Sequence, residues 1–234
     1  MSDALIPILV VAVVIGLLAA SVWLDRKRRA HLQGAARDLG LAFDPAARSD
    51  LHRRYAHGLF DRGRSRRASN TLHGVAKLAG HACPVRMGDY RFTTGSGKHR
   101  KTHRYSYCLV DLPWVGTPNL VVRTEDLGDK LMGGLGFDDI DFESEEFSRS
   151  FWVTSTDRKY AYDVIHPRMM EFLMRTDGFD IEILNDVCLL TRGSGRWPPE
   201  TFRHALAWAA PFVSGWPDHV TDRLAQRDAR GGAA

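Results

Sequence analysis

Residues 5–29 read LIPILVVAVVIGLLAASVWLDRKRR, and the two parts of this string decide how the rest of the chain is held. From Leu5 to Leu24 twenty positions pass without an ionisable side chain. At about 1.5 Å of rise per residue, a helix of that length crosses the roughly 30 Å hydrocarbon layer of a bilayer. Pro7 falls in the first turn, where its missing N–H removes no helical bond, and Trp23 falls near the far end, where aromatic belts form. Directly after the span comes Asp25-Arg26-Lys27-Arg28-Arg29, whereas only Asp3 and the amino terminus precede it. The positive-inside rule therefore predicts a short N-terminus outside and a cytoplasmic location for everything after Arg26. The competing interpretation is a cleaved secretory signal, with Ala19-Ala20-Ser21 as a processing site. Such signals carry a basic region before a shorter apolar core, and here the basic cluster lies on the wrong side. The reading is a single-pass anchor over residues 1–25.

The remainder has the composition of a folded domain. The chain of 234 residues is 44% hydrophobic and 26% charged, which excludes wholesale disorder. Cys83, Cys108 and Cys188 make an odd total with no Cys-x-x-Cys pair, so neither a closed disulfide framework nor a cysteine-based zinc site is available. Free thiols suit a reducing compartment, in agreement with the predicted topology.

Working outward from the span, Leu32, Ala36 and Leu39 predict a short helix over Ala30 to Leu41 that continues from the membrane and ends at Gly40. Residues 26–69 read as a basic juxtamembrane helix and connector, with a further short helix near Leu51 to Tyr55. From residue 70 strands dominate. Asn70–Lys77, His81–Thr93 and Lys101–Leu112 are separated by Ala79-Gly80 and Gly95-Ser96-Gly97, the punctuation of antiparallel hairpins. In the third, Tyr105, Tyr107 and Leu109 alternate with Ser106, Cys108 and Val110. Both faces are partly apolar, which predicts a central strand. Asn119–Thr124 and Phe151–Ser155 read as further strands, and Pro167 opens a helix through Met169, Met170, Leu173 and Met174. Phe179–Ile183 and Val187–Leu190 form a last hairpin across Asn185-Asp186. A helix from Pro198-Pro199 to roughly Val213 follows, with Pro211 expected to kink or end it, and residues 218–234 read as a frayed tail. The expected fold class is α+β: an N-terminal transmembrane helix, then a largely antiparallel sheet with a few packed helices over residues 70–217.

Charge is segregated along the chain. Between Asp25 and Arg104 nineteen Lys and Arg face six Asp and Glu, whereas from Tyr105 onward thirteen face twenty-one. Anionic headgroups attract such clusters by about 1 kcal/mol per basic residue near the surface. The candidate anionic-lipid contacts are Arg26, Lys27, Arg28, Arg29, Arg62, Arg64, Arg66 and Arg67. The cluster Lys98, Arg100, Lys101 reads as a solvated hairpin tip. Nucleic acid is not expected as a partner, because aromatic residues to stack on bases are scarce between Arg62 and Lys101.

Catalytic signatures fail on inspection. Thr94-Gly-Ser-Gly-Lys98 lacks the leading glycine of a phosphate loop, is followed by His99, and lies between strands rather than before a helix. His99 and His103 have a helical metal spacing but straddle a turn. His73, His81 and Asp89 could meet on the first hairpin, which supports a rival reading, a membrane-tethered metal-dependent hydrolase. The acidic string from Phe137 to Phe147 lacks a calcium-loop pattern, and Ile140 and Phe142 alternating with its acids read as a guarded edge segment. No cofactor is called for, and no catalytic or metal residue is assigned.

Several strings carry a resemblance: Leu39-Gly-Leu-Ala-Phe43, Asn70-Thr-Leu-His-Gly74, Gly88-Asp-Tyr90 with Thr93-Thr-Gly-Ser-Gly-Lys98, Phe137-Asp-Asp-Ile-Asp-Phe-Glu-Ser144 with Phe147, and Ala161-Tyr-Asp163 with His166-Pro-Arg-Met-Met-Glu171. Over most of residues 1–217 the chain resembles a family of uncharacterised bacterial membrane-anchored proteins with one N-terminal transmembrane helix and a cytoplasmic α+β domain. The resemblance implies a bacterial inner-membrane location and brings no activity. Pro211 departs from the uninterrupted terminal helix it would imply. Together these features predict a membrane-anchored cytoplasmic domain acting without catalysis, with the bilayer, anionic headgroups and a protein as partners.

Overall fold

In the computed structural model, which describes residues 5–124 and 139–231, the apolar span and the basic cluster lie on one continuous helix, α1 (Leu5–Asp38). Its thirty-four residues extend about 50 Å. Gly40 takes φ +67°, the Leu41 N–H reaches the Ala36 carbonyl at 2.8 Å, and the Gly40 N–H reaches that of Arg37 at 3.1 Å. This is the glycine-terminated ending expected from Gly40. The first part of the helix is long and apolar enough to cross a membrane, and its described side chains are exposed, Leu9 being 66% exposed and Leu17 67%. The last part is different, with Leu32, Ala35 and Ala36 buried against the sheet.

Among the described residues eight strands form one sheet, and every pairing in it is antiparallel. They are β1 (Ala42–Asp44), β2 (Arg64–Leu78), β3 (His81–Thr94), β4 (Lys101–Asp111), β5 (Leu120–Thr124), β6 (Phe151–Ser155), β7 (Asp180–Leu184) and β8 (Val187–Thr191). The spatial order is β1-β2-β3-β4-β8-β7-β5-β6. The α+β fold is thus as expected, and β4 is central, flanked by β3 and β8. The sheet reaches nearer the N-terminus than residue 70. Arg64, Arg66 and Arg67 begin β2, where charged side chains hide the two-residue period from a hydrophobicity reading.

Each face of the sheet has its own cover. Cys108, Val110, Ile181, Ile183 and Leu190 point into the larger core beneath α1, α5 (Arg158–Val164), α6 (Pro167–Arg175) and α7 (Pro199–Ser214). Tyr90, Phe92, Tyr107, Leu109 and Leu189 point the other way. There they meet Leu51 of α2 (Leu51–Arg54) and Leu59 and Phe60 of α3 (Gly58–Asp61). Phe60 lies edge-on to both Tyr90 and Tyr107, at 5.1 and 5.4 Å between ring centroids.

One local expectation is corrected and two are made more exact. The tail forms α8 (Asp218–Gly231), because Val220 and Leu224, one turn apart, are buried on the core while Arg223 reaches Asp163 at 3.3 Å. Helix α7 ends at Ser214, one residue past the expected Val213, with Pro211 inside its last turn. Within the acidic string, Asp138 lies outside the described residues. Ile140 and Phe142 are buried, Ile140 N–H donates to the Val153 carbonyl at 2.8 Å, and Asp139 accepts from Val153 N–H at 3.0 Å, so this stretch lines the edge of β6. Ser144 then caps α4 (Glu145–Ser150), placing Glu145 and Glu146 in its first turn, where the helix dipole favours them.

Candidate functional site at the junction of helix and sheet

The helix meets the sheet through one buried polar cluster. Arg28 donates from Nε to Asp89 Oδ2 at 2.7 Å, from Nη2 to Asp89 Oδ1 at 2.5 Å, and from Nη1 to the Trp197 carbonyl at 3.0 Å. Asp89 also accepts from Asn70 Nδ2 and from Ser106 Oγ, each at 2.9 Å, and Ser106 Oγ in turn accepts the Trp197 N–H at 2.9 Å. The carboxylate thus accepts four hydrogen bonds, as many as its lone pairs provide. Arg28 and Asp89 side chains are 15% and 6% exposed, so the pair is largely withdrawn from water. Its two-pronged geometry requires the planar guanidinium and fixes both the rotation and the axial position of α1.

Strand β2 bends to make this possible. A bulge between Ser69 and Leu72 puts Asn70 at φ +53°, a conformation asparagine tolerates, and turns its amide toward Asp89. Gly88 faces the bulge so closely that a Cβ there would lie 3.0 Å from the Asn70 carbonyl oxygen and 3.1 Å from that of Ser69. In the sequence Asp89 stands only as a possible histidine partner. The signal for its true partner is that Arg28 precedes Leu32, Ala35 and Ala36 at helical spacing, on the face that docks.

The eight basic residues singled out from sequence have different fates. Arg26, Lys27 and Arg29 are exposed, with the Lys27 ammonium 5.2 Å from the centre of the Trp23 ring. Arg28 is turned inward onto Asp89. Arg66 folds back on the Arg62 and Gly63 carbonyls and on Asp61, Arg62 is half-buried, and Arg64 donates to the Gly95 carbonyl at 3.2 Å. Arg67 is exposed on β2 directly opposite Arg91.

The histidine and carboxylate patch does not assemble. His73 alternates with core-facing Leu72 and so lies on the opposite face from Asp89, while the His81 ring packs edge-on against Trp114 at 5.8 Å. Among the described residues no group of three His, Cys, Asp or Glu is placed to hold a metal ion. Burial pushes the Cys108 thiol up to about 12, away from the thiolate a nucleophile requires. A separate polar contact lies on the other face of the sheet. The His57 Nε2 meets the Val187 carbonyl at 3.0 Å, and the nearby Glu182 accepts the Gly58 N–H at 2.8 Å and pairs with Arg123 at 3.6 Å. These contacts tie α3 to the sheet. A cleft of about 600 Å³ between α6 and β7 is lined by Phe151, Met174, Phe179 and Trp208, with Arg192 held by Asp177.

Placed beside solved structures, the fold has a counterpart over most of the chain. The fold is similar to that of the mycobacterial trehalose monomycolate transport factor A, TtfA. The match to the TtfA crystal structure has a TM-score of 0.55 and 13% sequence identity, covering 82% of this chain and 95% of that one. At that identity TtfA shares architecture, and the likeness carries no residue roles. No protein-family model and no curated protein matches the chain.

Proposed function

We propose that the chain is a single-pass protein of the bacterial inner membrane, with its N-terminus outside and its α+β domain held in the cytoplasm against the inner leaflet. There it serves as a non-catalytic module that binds the lipid surface and a protein partner. The observation that carries this reading is the continuity of α1: the helix that holds the apolar span also holds the buried Arg28. A domain clasped to its own anchor cannot swing away on a linker, so its basic end stays at the headgroups. Asp25 to Arg29 supports the orientation, and the exposed Arg26, Lys27 and Arg29 support attraction to anionic lipid. TtfA is a trehalose monomycolate transport factor, and an accessory role in the handling of membrane lipids suits a domain of the same fold fixed at a membrane.

Protease added to spheroplasts tests the orientation. The domain is expected to survive until the cytoplasmic membrane is broken, and digestion in intact spheroplasts would overturn the reading. Hydrogen exchange of the full chain in nanodiscs tests the surface. Slower exchange around Asp25 to Arg29 with anionic lipid than with neutral lipid, lost at raised salt, is expected. Equal exchange in both lipids would reject the lipid-facing surface.

A further inference from the structure

The register of the sheet brings three arginines side by side. Arg67 is directly opposite Arg91, and Arg91 is directly opposite Arg104. All three are exposed, and among the described residues no guanidinium of the three has a hydrogen-bond or ion-pair partner. Directly opposed cross-strand side chains lie about 5 Å apart at Cβ, and like charges in that position are destabilising. The next row in the same register is Ser69, Asp89 and Ser106, so the arginines share the face on which Arg28 docks, about 7 Å further along the strands.

The direction of α1 places this row at the membrane. Leu41, just after the helix, packs at Gly74, whereas Arg28 reaches Asp89 opposite Ser69; followed toward its N-terminus, α1 therefore advances along β2 toward Arg67. One turn earlier Asp25 pairs with Arg196 at 3.5 Å, and the adjoining Gly195 N–H donates to the Arg104 carbonyl at 2.9 Å. Asp25 is thus level with the arginine row and is also the first charged residue after the apolar span. The headgroup layer adds roughly 5–8 Å on each side of the hydrocarbon, which is where the row falls.

We infer that Arg67, Arg91 and Arg104 form a phosphate-binding row that takes the headgroup phosphate of an anionic phospholipid in the leaflet the domain faces. The inference rests on the membrane-surface reading above and names the residues that make the contact. A guanidinium offers paired N–H donors that match phosphate oxygens, and a phosphate bound among the three relieves the repulsion that the pairing imposes.

The test uses the full chain in neutral detergent, with phosphatidylglycerol, phosphatidylcholine and inorganic phosphate as probes, read by native mass spectrometry and by thermal unfolding. Phosphatidylglycerol is expected to be retained over phosphatidylcholine, with retention at least tenfold weaker in the Arg67→Gln, Arg91→Gln, Arg104→Gln variant. An Arg26→Gln, Arg29→Gln variant is expected to weaken it too, because those residues also attract anionic lipid, but by less than the triple variant does. If inorganic phosphate is held as tightly as the lipid, the row is an anion site fed from solution and the lipid assignment is overturned. If the triple variant retains lipid as the parent does while the helix variant loses it, the row is rejected and the basic surface of α1 stands. Without ligand at low salt, Arg91→Gln is expected to raise the unfolding midpoint, with the gain fading as salt is added. A lowered or unchanged midpoint would show that the arginines do not strain one another and would overturn the argument.

Discussion

Arg28 and Asp89, 61 residues apart in sequence, are joined by two hydrogen bonds of 2.7 and 2.5 Å that lock the end of the apolar helix to the middle of β3. Because Asp89 also collects Asn70 and Ser106, and Ser106 collects the Trp197 backbone, this one pair connects α1 to β2, β4 and the segment entering α7. A helix joined in this way passes its own position and rotation on to the sheet.

Removing one partner strands the other charge away from water. Arg28→Ala and Asp89→Ala are each expected to lower stability by about 3 kcal/mol, a cost typical of a broken buried pair. Arg28→Lys should fall between, since an ammonium cannot serve both carboxylate oxygens in the same plane. Denaturant unfolding of the full chain in detergent measures this; a loss under about 1 kcal/mol for either alanine variant would mean the clasp is dispensable.

The bulge beside the clasp has a glycine requirement of its own. In Gly88→Ala the new methyl meets the Asn70 and Ser69 carbonyl oxygens, backbone atoms that cannot rotate aside, and a loss of about 1–3 kcal/mol is expected. Asn70→Gly keeps the positive φ but gives up the bond to Asp89, so a loss of about 1 kcal/mol should suffice. Unfolding midpoints of the two variants should rank in that order.

A pH effect is expected on the other face of the sheet. Burial holds the His57 imidazole below its ordinary value of 6.5, against an upward pull from the nearby Glu182 carboxylate. The folded state therefore resists protonation more than the unfolded chain does. Above 6.5 the group contributes no pH dependence, and as the pH falls through that value stability is lost. Thermal unfolding from neutral to mildly acidic pH should show a steeper decline in the parent than in His57→Gln; parallel declines would discard this assignment.

Helix α8 should behave as part of the core. Leu224 is 1% exposed, and Leu224→Ala is expected to cost about 2–4 kcal/mol, the range for a buried leucine. Ending the chain at Pro217 should destabilise it at least as much. If thermal unfolding leaves that truncated chain unchanged, the helix is an ornament.

Hairpins and central strands were legible because they rest on local alternation. In Lys101–Asp111 both faces read as apolar, and the strand lies between two others, with Tyr107 and Leu109 on one core and Cys108 and Val110 on the other. The tail hides its helix because two apolar residues, Val220 and Leu224, among charged neighbours give little signal until a surface exists to receive them. Of the basic residues nominated as lipid contacts, Arg28 could have been set apart, since it shares a helical stripe with Leu32 and Ala35. Arg91 could have been found by carrying the turn at Gly95 back along the hairpin, which pairs it with Arg104.

Apolar length, the charge that follows it and the two-residue period belong to short stretches of chain, so a helix long and apolar enough to cross a membrane and an antiparallel sheet could be read from residues in order. The partner of Arg28, the insertion of β8 beside β4 and the alignment of Arg67 with Arg91 and Arg104 depend on contacts between distant segments. Such contacts form only when loop closure and burial are settled together over the whole domain, and no local pattern records that balance.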